Sequence, residues 1–193
     1  MEGVLTPEIW PALADRTGTP ELRRTTRDEP DYDVLMRGRI TILRDRGIRL
    51  KDIQHTVQTL EPLPGAGAFL SKLRMAMPVA ILSDTFYEFA RPLFAQLGSP
   101  FVLCNSLEVD ADGFVTDYVM RQQNGKLRAV EGFANMGLRV VAVGDSHNDL
   151  AMLEGADIGI LFRAPDSIKE GWPGLKTAED YDGLFRHIAA IGG

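Results

Sequence analysis

Val140-Val141-Ala142-Val143-Gly144-Asp145-Ser146-His147-Asn148-Asp149-Leu150 is the stretch whose reading decides the fold. Its first four residues are apolar and mostly β-branched, the pattern of a strand buried on both faces. The strand stops at Gly144–Asp145, and small polar residues then lead into a helical pattern from Leu150. A carboxylate placed where a parallel strand ends lies in the crevice at the carboxyl edge of an open α/β sheet, the usual ligand position in such folds. Mg²⁺ suits Asp145 there, because a hard cation wants one or two carboxylates, keeps some waters and takes a further ligand from a phosphate oxygen. Ser146 with Asp149 also fits a helix capping box, but a box requires neither Gly144 nor the neighbouring acid and amide groups.

Outward from this stretch, short β-type runs alternate with helical patterns. The spacing predicts strands at Val79–Leu82, Phe101–Leu103, Val140–Val143 and Ile158–Phe162, with helices over Phe86–Leu97, Lys126–Met136 and Leu150–Leu153. Such alternation implies right-handed crossovers and a parallel sheet covered on both faces. Leu107–Val109 and Phe114–Met120 flank Asp110–Ala111–Asp112–Gly113 and read as a β-hairpin flap. The first sixty residues instead carry helical spacing over Glu8–Arg16, Tyr32–Arg46 and Leu50–Leu60, broken by Gly18, Pro30 and Gly47. A further helix, Ala66–Met75, leads into the first strand. The expected architecture is an α/β, Rossmann-like parallel sheet formed by residues 1–12 and 64–193, with a small helical cap over residues 13–63.

With 193 residues and 45% apolar content the chain can bury one sizeable core. Its net charge of −6 argues against a nucleic-acid partner, which needs a basic face. There is no uninterrupted apolar run of membrane-spanning length and no leader pattern, so a cytoplasmic protein without a membrane partner is expected. The single cysteine, Cys104, follows Phe101–Val102–Leu103 and reads as a small buried hydrophobe.

Ser83–Asp84–Thr85 follows the strand Val79–Leu82 much as Asp145 follows its own strand. Hydroxyls and backbone N–H groups opening a helix make an anion site, although the same residues are favoured helix caps. Lys126, at the head of a helix after Asn124–Gly125, lies between the two stations in the chain. Most lone lysines are solvated surface charges, but a point cation beside a metal neutralises a phosphoryl group in transfer.

Ser83, Lys126 and Gly144–Asp149 in this order resemble motifs two, three and four of the haloacid dehalogenase superfamily, and Glu2–Gly3–Val4–Leu5 resembles the tail of its first motif, Asp-x-Asp/Glu-Gly. Pro7–Glu8–Ile9–Trp10, Asp31–Tyr32–Asp33–Val34–Leu35–Met36 and Ile81–Leu82–Ser83–Asp84–Thr85–Phe86–Tyr87–Glu88–Phe89 bring the chain closest to phosphoserine phosphatases of the type that also transfers phosphate to homoserine. The resemblance implies an enzyme of serine biosynthesis acting on phosphoserine, with homoserine as a second acceptor and Mg²⁺ as cofactor; a homodimer stays open. It implies Glu2 as acid/base with its carbonyl on the metal, Asp145 as metal ligand, and Asp149 at the metal site. It also implies Ser83 and Lys126 on the phosphoryl oxygens, and Asp84, Thr85 and Asn148 lining the pocket. Glu8 would face the substrate amine, Arg39 its carboxylate, and Tyr32 would wall the pocket; Arg's planar fork matches a carboxylate, and Glu pairs with an ammonium.

In that family an aspartate precedes the position of Met1 and attacks phosphorus from the end of a central strand. Neither the aspartate nor its strand is in the sequence. Without that strand two rows of N–H and C=O groups lose their partners, at about 1–3 kcal/mol per buried group against a total stability of about 5–15 kcal/mol. The expectation is therefore a start internal to a longer chain and a poorly stable fold; the alternative is an inactive module that binds Mg²⁺ and phospho-amino acids.

Overall fold

The computed structural model describes residues 1–26 and 28–190, so the last three residues expected in the α/β unit lie outside the described residues. The chain opens with a tight turn, Gly3 N–H bonding Thr6 O and the Met1 carbonyl accepting from Leu5 N–H at 2.8 Å. Helices α1 (Ile9–Thr17), α2 (Tyr32–Asp45), α3 (Leu50–Gln58) and α4 (Ala66–Ala76) follow. Asp31 caps α2, its carboxylate accepting from the N–H groups of Asp33 and Val34, and α1 ends on left-handed Gly18. Beyond them come β1 (Ala80–Phe86), α5 (Tyr87–Gln96), β2 (Phe101–Val109), β3 (Val115–Val119), α6 (Gly125–Asn135), β4 (Val141–Gly144), α7 (Leu150–Gly155), β5 (Ile158–Phe162), α8 (Asp166–Gly171), β6 (Lys176–Ala178) and α9 (Tyr181–Ala189).

These strands form two sheets. β1 pairs in parallel with β2, which pairs antiparallel with β3; β4, β5 and β6 form a parallel sheet. β1 and β4 are edges, and between them runs an apolar cavity of about 370 Å³ lined by Val79–Leu82, Val140–Val143, Val4 and Leu5. Among the described residues no strand bridges this gap. The main core crosses from the early helices to the sheet: Ile9, Leu13, Ile53 and Val57 belong to one cluster with Phe86, Phe89, Leu93 and Ile160. α3 packs on α5, so the expected cap shares its core with the α/β layer.

Two details depart from the sequence reading. Ser83–Asp84–Thr85 does not open a helix: it continues β1, whose pairing with β2 slips between Leu82 and Phe86, and α5 starts only at Tyr87. The expected hairpin is present as the antiparallel pair β2–β3, but its first arm is the end of a long strand, because Phe101–Leu103 and Leu107–Val109 are both part of β2. The capping box is present, with Ser146 Oγ 3.2 Å from Asp149 Oδ2, and the short 3-10 turn His147–Asp149 precedes α7. Cys104 is buried, and burial pushes its thiol up to about 12. No helix among the described residues is long and apolar enough to cross a membrane.

Candidate active site

β1 and β4 both end at a second, polar cavity of about 170 Å³, which gathers Glu2, Glu8, Tyr32, Arg39, Ser83, Asp84, Thr85, Lys126, Asp145, Asn148 and Asp149. Every residue singled out in the sequence for a role is on this wall. Residue 83 arrives there at the register slip of β1 and residue 145 directly after the end of β4, and Lys126 because α6 begins beside them.

Lys126 is the electrostatic hub. Its ammonium lies 2.8 Å from Asp84 Oδ2 and 2.8 Å from Asp149 Oδ1. Burial alone would lower its pKa, but the two carboxylates overcome that and hold it above the usual lysine value. The other oxygen of Asp149 accepts from Asp145 N–H at 3.0 Å and Ser146 N–H at 3.3 Å. Although burial opposes ionisation, Lys126 and these donors keep Asp149 below its usual range. Asp149 thus fixes the strand end and the lysine together.

Asp145 differs. Burial, and after it the charge of Asp149, push its carboxyl up to about 6. No hydrogen bond to its carboxylate occurs among the described residues. Gly3 makes room for it: a Cβ at Gly3, which has φ +77°, would overlap Asp145 Oδ2. Gly144 likewise leaves space for Asp149, whose Cβ a side chain there would strike. Among the described residues no three His, Cys, Asp or Glu side chains are arranged so that they alone could hold a metal ion. A carboxylate without a hydrogen-bond partner beside a polar cavity of this size still fits Mg²⁺, which asks few ligands of the protein and keeps several waters.

Glu2 accepts from Ile9 N–H at 2.9 Å, and burial raises its pKa. On the α2 side, the Arg39 guanidinium lies 4.3 Å over the Trp10 ring and donates to Arg24 O at 2.7 Å. Its buried Nε has no partner. Burial pulls Arg39 down to about 10, still cationic at neutral pH. Tyr32 O–H donates to Asp84 O at 3.1 Å, and Ser83 Oγ accepts from Thr85 N–H at 3.3 Å. Asn148 is exposed and exchanges hydrogen bonds with Thr26 at 3.1 and 3.3 Å, tying that residue to the β4 end. His147 turns away, its ring 6.0 Å from Trp172.

The sequence reading gave no role to Trp10, Thr26 or Met1, which line the same cavity. Trp10 stands inside a string quoted for the resemblance, but its use as the bed for Arg39 depends on how α1 and α2 cross. The Met1 α-amino group is buried beside Lys126, Asp149, Glu2 and Asp145, and burial and then Lys126 lower its pKa.

A parallel α/β layer with carboxylates and a lysine at its carboxyl edge is the architecture of a phosphoryl-transfer hydrolase, and the chain belongs to the haloacid dehalogenase-like hydrolases, whose family model matches residues 5–157. It is 48% identical over 188 residues to phosphoserine phosphatase ThrH of Pseudomonas aeruginosa, covering 97% of this chain and 92% of that protein. It is 49% identical over 188 residues to a phosphoserine phosphatase of Pseudomonas syringae, covering 97% and 79%. A solved phosphoserine phosphatase in apo form matches with a TM-score of 0.73 at 25% identity, over 88% of this chain and 86% of that one. A phospho-aspartyl intermediate analogue of phosphoserine phosphatase shares the fold with a TM-score of 0.78 at 21% identity, over 95% and 93%. The alternative of an inactive binding module is not favoured by these relatives.

Proposed function

We propose that the protein is a phosphoserine phosphatase working through an aspartyl-phosphate, with Mg²⁺ as cofactor. The observation that carries this reading is the single polar cavity joining Lys126, bridged to Asp84 and Asp149, with the buried Arg39 and with Glu8. Ser83 and Lys126 hold the phosphoryl oxygens; Arg39 takes the substrate carboxylate and Glu8 faces the ammonium. Asp84 and Asp149 aim Lys126, Thr85 and Asn148 line the pocket, and Tyr32 walls it.

The attacking carboxylate is that of an aspartate at the carboxyl end of the gap between β1 and β4. Its oxygen bonds to phosphorus as the bond from phosphorus to the serine oxygen breaks, and Glu2 gives its proton to that oxygen. Burial raises the pKa of the Glu2 carboxyl, a shift in the direction that a general acid needs. Ionised Glu2 then takes a proton from water, whose oxygen bonds to phosphorus and releases the aspartate. Asp145 and the Glu2 carbonyl, with Asp149 in support, would hold Mg²⁺, which would supply neutralisation of the phosphoryl charge. Homoserine in place of water gives phosphotransfer.

The test is phosphate release from phosphoserine with Mg²⁺ by a chain carrying an apolar strand that ends in aspartate joined directly ahead of Met1. Release is expected, Asp145→Asn is expected to abolish it, and added homoserine to divert product to its phosphate ester. Undiminished release by Asp145→Asn refutes the assignment.

A further inference from the structure

Asn105 occupies a place that an apolar residue would ordinarily fill. It lies within β2, the central strand of its sheet, and is 6% exposed. A buried amide costs stability unless its donor and its acceptor are both used. Here both are: Asn105 Nδ2 donates to Asp84 O at 3.3 Å, and Oδ1 accepts from Arg121 N–H at 3.0 Å. Asn105 does not itself line the polar cavity. Its two partners lie where the backbone leaves regular pairing. β1 and β2 are in register at Leu82 with Leu103 and again at Phe86 with Asn105, so Ser83, Asp84 and Thr85 stand opposite Cys104 alone. Such a bulge re-aims its side chains and leaves backbone groups without ladder partners. Asn105 supplies one partner to the Asp84 carbonyl, and Tyr32 O–H supplies another at 3.1 Å. On the other side of β2, pairing with β3 reaches Val119, opposite Ser106, and the chain then crosses exposed residues 120–124 to reach α6. That helix opens on Asn124 at φ +51° with no side-chain cap. Arg121 steadies the crossing at both ends, its N–H on Asn105 and its guanidinium on Gly125 O at 2.9 Å. The next residue is Lys126, whose ammonium lies 2.8 Å from the Asp84 carboxylate. The contacts close a ring, from Asp84 through Asn105, Arg121 and Gly125 to Lys126 and back.

We infer that Asn105 is a positioning residue for the phosphoryl site. One amide holds both the bulge that presents Ser83 and Asp84 and the crossing that delivers Lys126, and so sets hydroxyl and ammonium relative to each other without touching a ligand. The hold on Lys126 rests on this geometry alone; its consequence for phosphate binding rests on the phosphatase reading.

The experiment is a double-mutant cycle between Asn105→Leu, which keeps the bulk of the side chain and loses both hydrogen bonds, and Lys126→Met, made in the whole chain. Asn105→Ala, which leaves room for water on the two freed groups, replaces the Leu variant if that one does not fold. In urea unfolding, Lys126→Met should shift the midpoint less in the Asn105 variant than in the parent, because a lysine no longer aimed at Asp84 has less to lose. Calorimetry with inorganic phosphate and Mg²⁺ then reads the site. The Asn105 variant should bind phosphate about tenfold more weakly than the parent, the size of effect expected for lost hydrogen bonds. With Met at position 126 the same change should weaken binding less than about twofold. Additive shifts in unfolding overturn the inference. So does an unchanged phosphate affinity, or a loss of equal size with and without Lys126, which marks a general loosening of the fold. Coupled unfolding in a parent chain that binds no phosphate upholds the hold of Asn105 on Lys126 and sinks the phosphatase reading. Phosphate binding that depends on Lys126 and ignores Asn105 does the reverse.

Discussion

Replacing Asp145 by Asn should stabilise the metal-free protein at neutral pH while destroying its activity. Burial and Asp149 push the Asp145 carboxyl from an ordinary 3.8 up to about 6. A folded-state pKa above the unfolded one means the folded state holds the proton more tightly. Ionising the group therefore costs stability progressively as pH rises from 3.8 to about 6, and the whole cost is present above that window. About two pK units correspond to about 3 kcal/mol. The side chain is only half-buried, so solvent screening reduces the expected cost to about 1–2 kcal/mol. Asn has the shape without the charge, so thermal melts in EDTA at pH 8 should place Asp145→Asn about 3–6 °C above the parent. At pH 4 the two should nearly coincide. Mg²⁺ should then raise the parent's melting temperature and leave the variant's unchanged. A variant equally shifted at pH 4 and pH 8, or less stable than the parent at pH 8, refutes the view of Asp145 as an uncompensated carboxylate awaiting a cation.

Arg39→Ala should raise KM for phosphoserine about 10–100-fold and leave phenyl phosphate nearly untouched, since a charge-assisted contact to the carboxylate is lost and the phosphoryl site is not; equal losses on both substrates, measured in steady-state kinetics, count against its role. Gly3→Ala should cost about 1–3 kcal/mol in urea unfolding and weaken Mg²⁺ binding in calorimetry, because the new Cβ strikes the Asp145 carboxylate at a positive φ; a neutral effect on both contradicts the packing described. Lys126→Met leaves Asp84 and Asp149 facing each other without their cation, and should lower stability by about 3 kcal/mol by chemical denaturation and weaken inorganic phosphate binding by calorimetry; unchanged phosphate affinity speaks against its contact with the phosphoryl group.

The strand-end logic carried most of the site: a buried apolar run followed by Gly144–Asp145 can hardly end anywhere but the carboxyl edge of the sheet, and Ser83 and Lys126 meet it there. What failed was local. Ser83–Asp84–Thr85 has cap-like composition, yet pairing of β1 with β2 continues the strand to Phe86, a tertiary choice that propensity does not record. The break between Phe101–Leu103 and Leu107–Val109 reflects polar Asn105, which is buried in mid-strand because its amide donates to Asp84 O and its carbonyl accepts from Arg121 N–H. The C-terminal β6 and α9 were not foreseen; β6 is three residues long and two of its side chains are exposed, too little for a period-two pattern. The stack of Arg39 on Trp10 and the Thr26–Asn148 tie join residues far apart in the chain and leave no trace in spacing.

The central claim is that segments remote in sequence converge to hold a phosphorylated amino acid and a divalent cation at one sheet edge. A crystal structure of the chain grown with Mg²⁺ and phosphoserine tests it most directly. The account predicts phosphoryl oxygens within hydrogen-bonding distance of Ser83 Oγ and Lys126 Nζ, the cation on the Asp145 carboxylate, and the substrate carboxylate against Arg39. A ligand bound elsewhere, or a cation that does not touch Asp145, contradicts it.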